Sequence, residues 1–122
     1  MEKTKKILED HLSFTTERNW NQFQTPKNLS MALSVEASEL AEIFMWLKES
    51  QSLSLDPPRL QQAKEEIADI YIYLVRIAHS LGIDINEAAE EKMQKNIAKY
   101  PLEKSLNIAA ELNSACPPNK LI

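Results

Sequence analysis

Two pairs of acids carry the most specific chemical signal in this chain. Glu36 and Glu39 stand three residues apart, as do Glu66 and Asp69. On a helix that spacing puts both members of a pair on one side. Four carboxylates brought together cannot all ionise unless cations are present. Their oxygens are hard ligands, suited to Mg²⁺ or Mn²⁺, and Mg²⁺ usually takes its remaining ligands from water and substrate phosphates. Each pair also has an ordinary reading as a solvated helix face. Glu36 resists it, because it falls in the middle of the apolar stripe formed by Leu29, Leu33, Leu40, Ile43 and Leu47. An unpaired charge at such a position costs several kcal/mol.

A second anomaly lies further along. Lys92 and Asn96, at i and i+4, share a helix side with Ile85, Ala88, Ala89, Met93 and Tyr100. A lysine there either pairs with the acids or reaches a phosphate oxygen, and the amide can donate to phosphate or sugar. Trp20 and Phe23 are large aromatics in a polar segment. They either plug the end of a bundle or stack on a flat ligand such as a nucleobase. Tyr73, Tyr100 and Trp46 add apolar surface for the same purpose.

The elements that must position these residues are helices. β-Branched runs of period two are absent, only one Gly is present, and the six Pro cluster between helical patterns. The expected fold is all-α, a four-helix bundle-like core. The first helix is expected from about residue 3 to 18, with His11 packed or half-exposed beside its apolar face. Thr25-Pro26 is a cap followed by proline at the first helical position, opening a helix to about residue 49. A polar connection over 50–56 leads to Asp56-Pro57-Pro58, which repeats the signal. The next helix, to about residue 81, carries a stripe of Leu60, Ala63, Ile67, Ile70, Leu74, Ile77 and Leu81, with Tyr73 on the acids' edge. Gly82 ends it as a C′ glycine. A fourth helix follows Asp84 and stops at Pro101. Residues 1–101 form the expected domain. Residues 102–122 form an extension, a short helix and then a mobile tail holding Cys116.

Length and composition bound the function. The chain has 122 residues and is 43% hydrophobic, enough for one domain with a real core. A net charge of −4 and a pI near 5.2 argue against binding a nucleic acid polymer. An anionic nucleotide remains compatible if a divalent metal bridges the charges. A single cysteine fits a reducing cytoplasm. The charged start MEKTKKILED has no signal-peptide pattern, and no apolar run approaches the ~18–20 residues of a membrane span. Di-iron bundles use Glu-x-x-His pairs, but Arg76 precedes His79 by three and Leu8 precedes His11 by three. No P-loop, nucleophile elbow or Cys/His cluster is present.

The acid spacing resembles the signature of the MazG-like all-α nucleoside triphosphate pyrophosphatases. ERNWNQFQTPKNL (17–29), VEASELAEIFMW (35–46), EEIADIYIYL (65–74) and KMQKNIAKYP (92–101) are similar to the dCTP pyrophosphatase branch. The resemblance spans about residues 8 to 101. It implies a homo-oligomer, dimer or tetramer, that hydrolyses (d)NTPs to (d)NMP and pyrophosphate, with dCTP-like substrates favoured. It implies Mg²⁺ on Glu36, Glu39, Glu66 and Asp69; Glu39, at the edge of the buried stripe, is the first candidate to activate water and Glu36 the second. Lys92 and Asn96 would contact the triphosphate. Trp20, Phe23, Gln24, Asn28, Trp46, Tyr73 and Tyr100 would line the nucleoside pocket. The branch often has histidine where this chain has Gln24, which leaves the base preference open. Two rival readings are a nucleotide-binding regulatory module without turnover and a helical adaptor whose acids are solvated.

Overall fold

The two longest helices open at the cap residues that the sequence supplies. In the computed structural model, which describes residues 2–115, α1 spans Glu2–Glu17. It closes at Asn19, whose φ of 55° is left-handed, with Trp20 N–H donating to Thr15 O and Asn19 N–H to Thr16 O. This is the pairing that satisfies orphan carbonyls at a helix end. A 3₁₀ turn over Asn21–Phe23 follows. Thr25 then caps α2, Pro26–Phe44, its Oγ1 accepting from Asn28 N at 3.2 Å with Pro26 at the first helical position. Asp56 caps α4, Pro57–Ser80, its Oδ1 accepting from Arg59 N at 3.0 Å. Gly82, at φ 68°, terminates α4 with Ile83 N–H on Ala78 O. The later helices are α5, Ile85–Lys99, and α6, Leu102–Ala115. The fold is all-α, as expected.

Three expectations need correction. The second helix was expected to run to about residue 49 but ends at Phe44, because Lys48 is extended (ψ 156°) to start a separate turn, α3, Glu49–Ser52. That turn is closed by Gln51 Oε1 accepting from Lys48 N at 2.8 Å, inside what reads as a plain connection. The apolar run continues through the break, so periodicity could not reveal it. The second correction concerns α4. Ala63 is buried and Ile70 and Ile77 half-buried, but Leu60, Ile67, Leu74 and Leu81 are 59%, 56%, 40% and 55% exposed. These four stand seven residues apart, on a line that no described part of the chain covers. The third concerns α5, which buries no residue. Met93 and Tyr100 are exposed, as is Lys92, and only Ile85 and Asn96 on that side are half-buried.

The chain divides into two compact units, Met1–Ile85 and Asn86–Ile122. In the first, α4 is the common partner of α1 and α2. The α2 and α4 chains run in opposite senses: Glu36 lies near Glu66 and Tyr73, while Ile43 lies beside Gln62. Leu29, Ala63, Val75 and Ala78 are the buried apolar residues. Two charged or polar side chains are buried with them, Thr15 and Arg76. In the second unit, α5 and α6 are amphipathic; Lys99 Nζ lies 5.4 Å from the Tyr100 ring centroid. Cys116 and the expected tail lie outside the described residues.

Candidate active site

The α2 stripe behaves as its pattern requires. Leu29 is buried, and Leu33, Glu36, Leu40 and Ile43 are half-buried, as is Leu47 in the turn beyond the helix, whereas Glu39 is exposed. Glu36 therefore does face α4. There it meets Glu66: carboxyl oxygens of Glu36, Glu39 and Glu66 lie within 4.8 Å of one another. The electrostatic consequence is direct. A hydrogen bond to Glu66, desolvation, and the charges of Glu39 and Glu66 push the Glu36 carboxyl up to about 7. Without a cation, Glu36 therefore keeps its proton far above the usual carboxylate range. Glu66 Oε2 is moreover buried with no hydrogen-bond partner. Among the described residues, no Lys or Arg forms an ion pair with these three acids. An oxygen-only donor set, one orphaned buried oxygen and one forced protonation together fit a divalent cation.

Asp69 stands one turn along α4, exposed and outside that cluster. It belongs to a neighbouring cleft of 340 Å³ between α1 and α4, lined with Ile7, Asp10, His11, Phe14, Ile72 and Tyr73. Tyr73 is half-buried there, and burial together with the charges of Glu36 and Asp69 holds its hydroxyl above the ordinary range, so it stays a donor. On the other side of the acids, Glu39, Glu42, Ile43, Gln62 and Glu66 line a more polar cleft of 380 Å³. The acids thus stand between an apolar recess and a polar one.

The remaining predicted residues are placed unevenly. Trp20 is half-exposed and packs edge-on to Phe14, with ring centroids 5.6 Å apart, which sets it at the rim of the apolar cleft. Phe23 is exposed, and Gln24 is half-buried with its Oε1 buried and unpartnered. Asn28 donates from Nδ2 to Phe23 O at 3.3 Å, tying the 3₁₀ turn to the start of α2. Trp46 lies in the turn after α2 and is 87% exposed, away from both clefts' linings. Lys92, Asn96 and Tyr100 belong to the second unit. From the sequence, His11 reads only as packed or half-exposed beside the first helix's apolar face, and Glu42 and Gln62 are not singled out. His11 had a signal, since Leu8 to Phe14 set it one residue off an apolar face; Glu42 and Gln62 had none beyond being polar.

A model of the MazG-like family matches residues 31–114, a span that holds all four acids. This chain belongs to the MazG-like family. MazG-like relatives include dCTP pyrophosphatase 1 of Mus musculus, 38% identical over 103 residues that make up 83% of this chain and 61% of that protein. dCTP pyrophosphatase 1 of Homo sapiens is 38% identical over 93 residues, 75% of this chain and 55% of that one. The chain thus spans about three fifths of these relatives' length. Among solved structures, a pyrophosphatase from Archaeoglobus fulgidus DSM 4304 superposes with a TM-score of 0.74 at 37% identity, covering 80% of this chain and 91% of that one.

Proposed function

We propose that this MazG-like protein is a nucleoside triphosphate pyrophosphohydrolase, converting a (d)NTP and water to the (d)NMP and pyrophosphate, with dCTP-like substrates favoured. The observation that carries the reading is the Glu36–Glu39–Glu66 cluster, short of positive charge and set between a polar and an apolar cleft. The names of the relatives above support the same reaction. Glu36, Glu39, Glu66 and, from its neighbouring turn, Asp69 would hold Mg²⁺, with Mn²⁺ as a substitute. Bound there, the metal supplies counter-charge to the phosphates and lowers the pKa of water.

The chain's own groups divide the remaining work. The polar cleft beside Glu39 and Glu66 takes the triphosphate, since three carboxylates there exclude an anion unless metal accompanies it. The apolar cleft takes the nucleoside, between Tyr73 and Phe14 with Trp20 at its rim. Glu39, exposed at the edge of the cluster, orients water toward the α-phosphorus and accepts its proton. Glu36, more deeply set, serves chiefly to hold charge. The Tyr73 hydroxyl donates to substrate oxygen; for Lys92 and Asn96, in the second unit, contact with the phosphates is what the family resemblance implies.

We also assign a homo-oligomer, dimer or tetramer. The exposed line of Leu60, Ile67, Leu74 and Leu81 on α4 has the spacing of a helix–helix seam, and Met31 and Val35 on α2 are exposed as well. Among the described residues no helix is long and apolar enough to cross a membrane. A cytoplasmic location completes the reading.

The reaction is tested by incubating the protein with each dNTP and Mg²⁺ in ¹⁸O-water and separating the products. The expected outcome is dNMP carrying the label and unlabelled pyrophosphate. Formation of dNDP and phosphate, or nucleotide binding without turnover, would refute it.

A further inference from the structure

Arg76 is buried, at 6% exposure, and no carboxylate of the described residues pairs with it. Its partners are neutral. Nη1 lies 3.2 Å from His11 Nδ1 and donates to Thr15 Oγ1 at 3.0 Å, and Nη2 donates to Asn21 Oδ1 at 3.4 Å. Thr15 Oγ1 donates to the same Asn21 oxygen at 2.7 Å, and Asn21 Nδ2 donates to Thr16 Oγ1 at 2.9 Å. A guanidinium has only donors. The nitrogen of His11 facing it must therefore be the bare one, and the neutral imidazole carries its hydrogen on Nε2. No described group hydrogen-bonds that nitrogen, and His11 lines the apolar cleft with its ring stacked on Phe14. A buried arginine is also a costly way to achieve packing alone.

We infer that Arg76 is a positioning residue for nucleotide recognition: it fixes His11 as the Nε2–H tautomer and ties the Trp20–Gln24 segment to α4, so that the cleft presents a neutral hydrogen-bond donor to the nucleobase. The inference rests on the reading that the nucleoside enters this cleft. It adds a chemical requirement to that reading: the favoured base offers an acceptor at its His11-facing edge. Arg76 acts through His11 and the 3₁₀ turn and touches no reacting atom, so its effect belongs on substrate binding rather than on the chemical step.

Two measurements test it. The first is nitrogen-15 NMR of the imidazoles in the wild-type protein at neutral pH. Only His11 and His79 contribute, and His11→Gln assigns them. The expected spectrum shows His11 with its proton on Nε2; a proton on Nδ1 overturns the proposal. The second is steady-state kinetics on the preferred dNTP with Arg76→Met and Arg76→Lys. The expected result for Arg76→Met is a KM raised about tenfold, the scale of one lost hydrogen bond, with kcat within about twofold. Arg76→Lys, which restores one donor, recovers part of the loss. A folded Arg76→Met with unchanged KM, or one whose loss falls on kcat alone, overturns the proposal. If Arg76→Met does not fold, the wild-type spectrum and Arg76→Lys still decide. A wild-type protein that turns over no dNTP yet shows the Nε2–H tautomer overturns the functional reading itself, and the role built on it. Intact turnover with the other tautomer overturns the positioning role alone.

Discussion

Glu36 is the residue on which the site turns, and its protonation links stability to pH. Its folded-state carboxyl is raised from 4.5 to about 7 by Glu66, desolvation and Glu39. For an acid raised in the folded state, the native protein holds the proton longer than the unfolded chain. The metal-free protein therefore loses stability as pH rises from about 4.5 to about 7, and stays penalised above. Glu36→Gln removes this penalty. The expected outcome in chelator is a melting temperature above wild type by on the order of 3 °C at pH 8, a gap that closes toward pH 4.5, while Mg²⁺-dependent turnover falls at least about 100-fold. Calorimetry and product assays check the two parts. His11 behaves in the opposite sense. Burial and the Arg76 charge lower its pKa below 6.5, so stability is lost as pH falls below that value. His11→Gln, which keeps an acceptor for Arg76, is expected to flatten the melting profile as pH falls below 6.5. Glu36 was legible in the sequence, because a charge in an apolar stripe is visible in one helix. Arg76 was not: its partners His11 and Asn21 lie 65 and 55 residues away, and nothing local marks a buried guanidinium.

At the scale of the element, caps decide where the acids stand. Asp56 begins α4, and through it the register of Glu66, Asp69, Tyr73 and Arg76. Asp56→Ala is expected to lower the denaturation midpoint measurably, and Asp56→Asn much less, since the amide oxygen also accepts from Arg59 N. Denaturant melts check this. Hydrogen bonds from Arg59, the backbone one foremost, hold the Asp56 carboxyl below its usual value, so this contribution is lost as pH falls into the acid range. The cap-and-proline openings of α2 and α4 and the glycine stop of α4 were readable because each is local chemistry. The break after Phe44 was not. Met45, Trp46 and Leu47 continue the apolar pattern, and only the extended Lys48 shows that the helix has ended. Trp46 consequently stands in an exposed turn, where the sequence pattern had set it on a helix.

For the whole molecule, the seven-residue line on α4 is the feature that a single chain leaves unexplained. Leu60, Ile67, Leu74 and Leu81 read as core by periodicity, and periodicity cannot tell a core within one chain from a seam between copies. If the line is such a seam, Ile67→Glu with Leu74→Glu converts the native assembly to a 14.0 kDa monomer, measured by light scattering after gel filtration. A native protein already at that mass would remove the oligomer from the proposal. The reaction assignment depends on no such assembly and has its own direct test. The measurement closest to its centre is the product distribution from dCTP and Mg²⁺ with the wild-type chain and with Glu39→Gln. The expected result is dCMP and pyrophosphate in equal amounts from the wild type, abolished by EDTA, and loss of turnover with nucleotide binding retained in Glu39→Gln. Undiminished hydrolysis in Glu39→Gln, or dCDP and phosphate from the wild type, would contradict it.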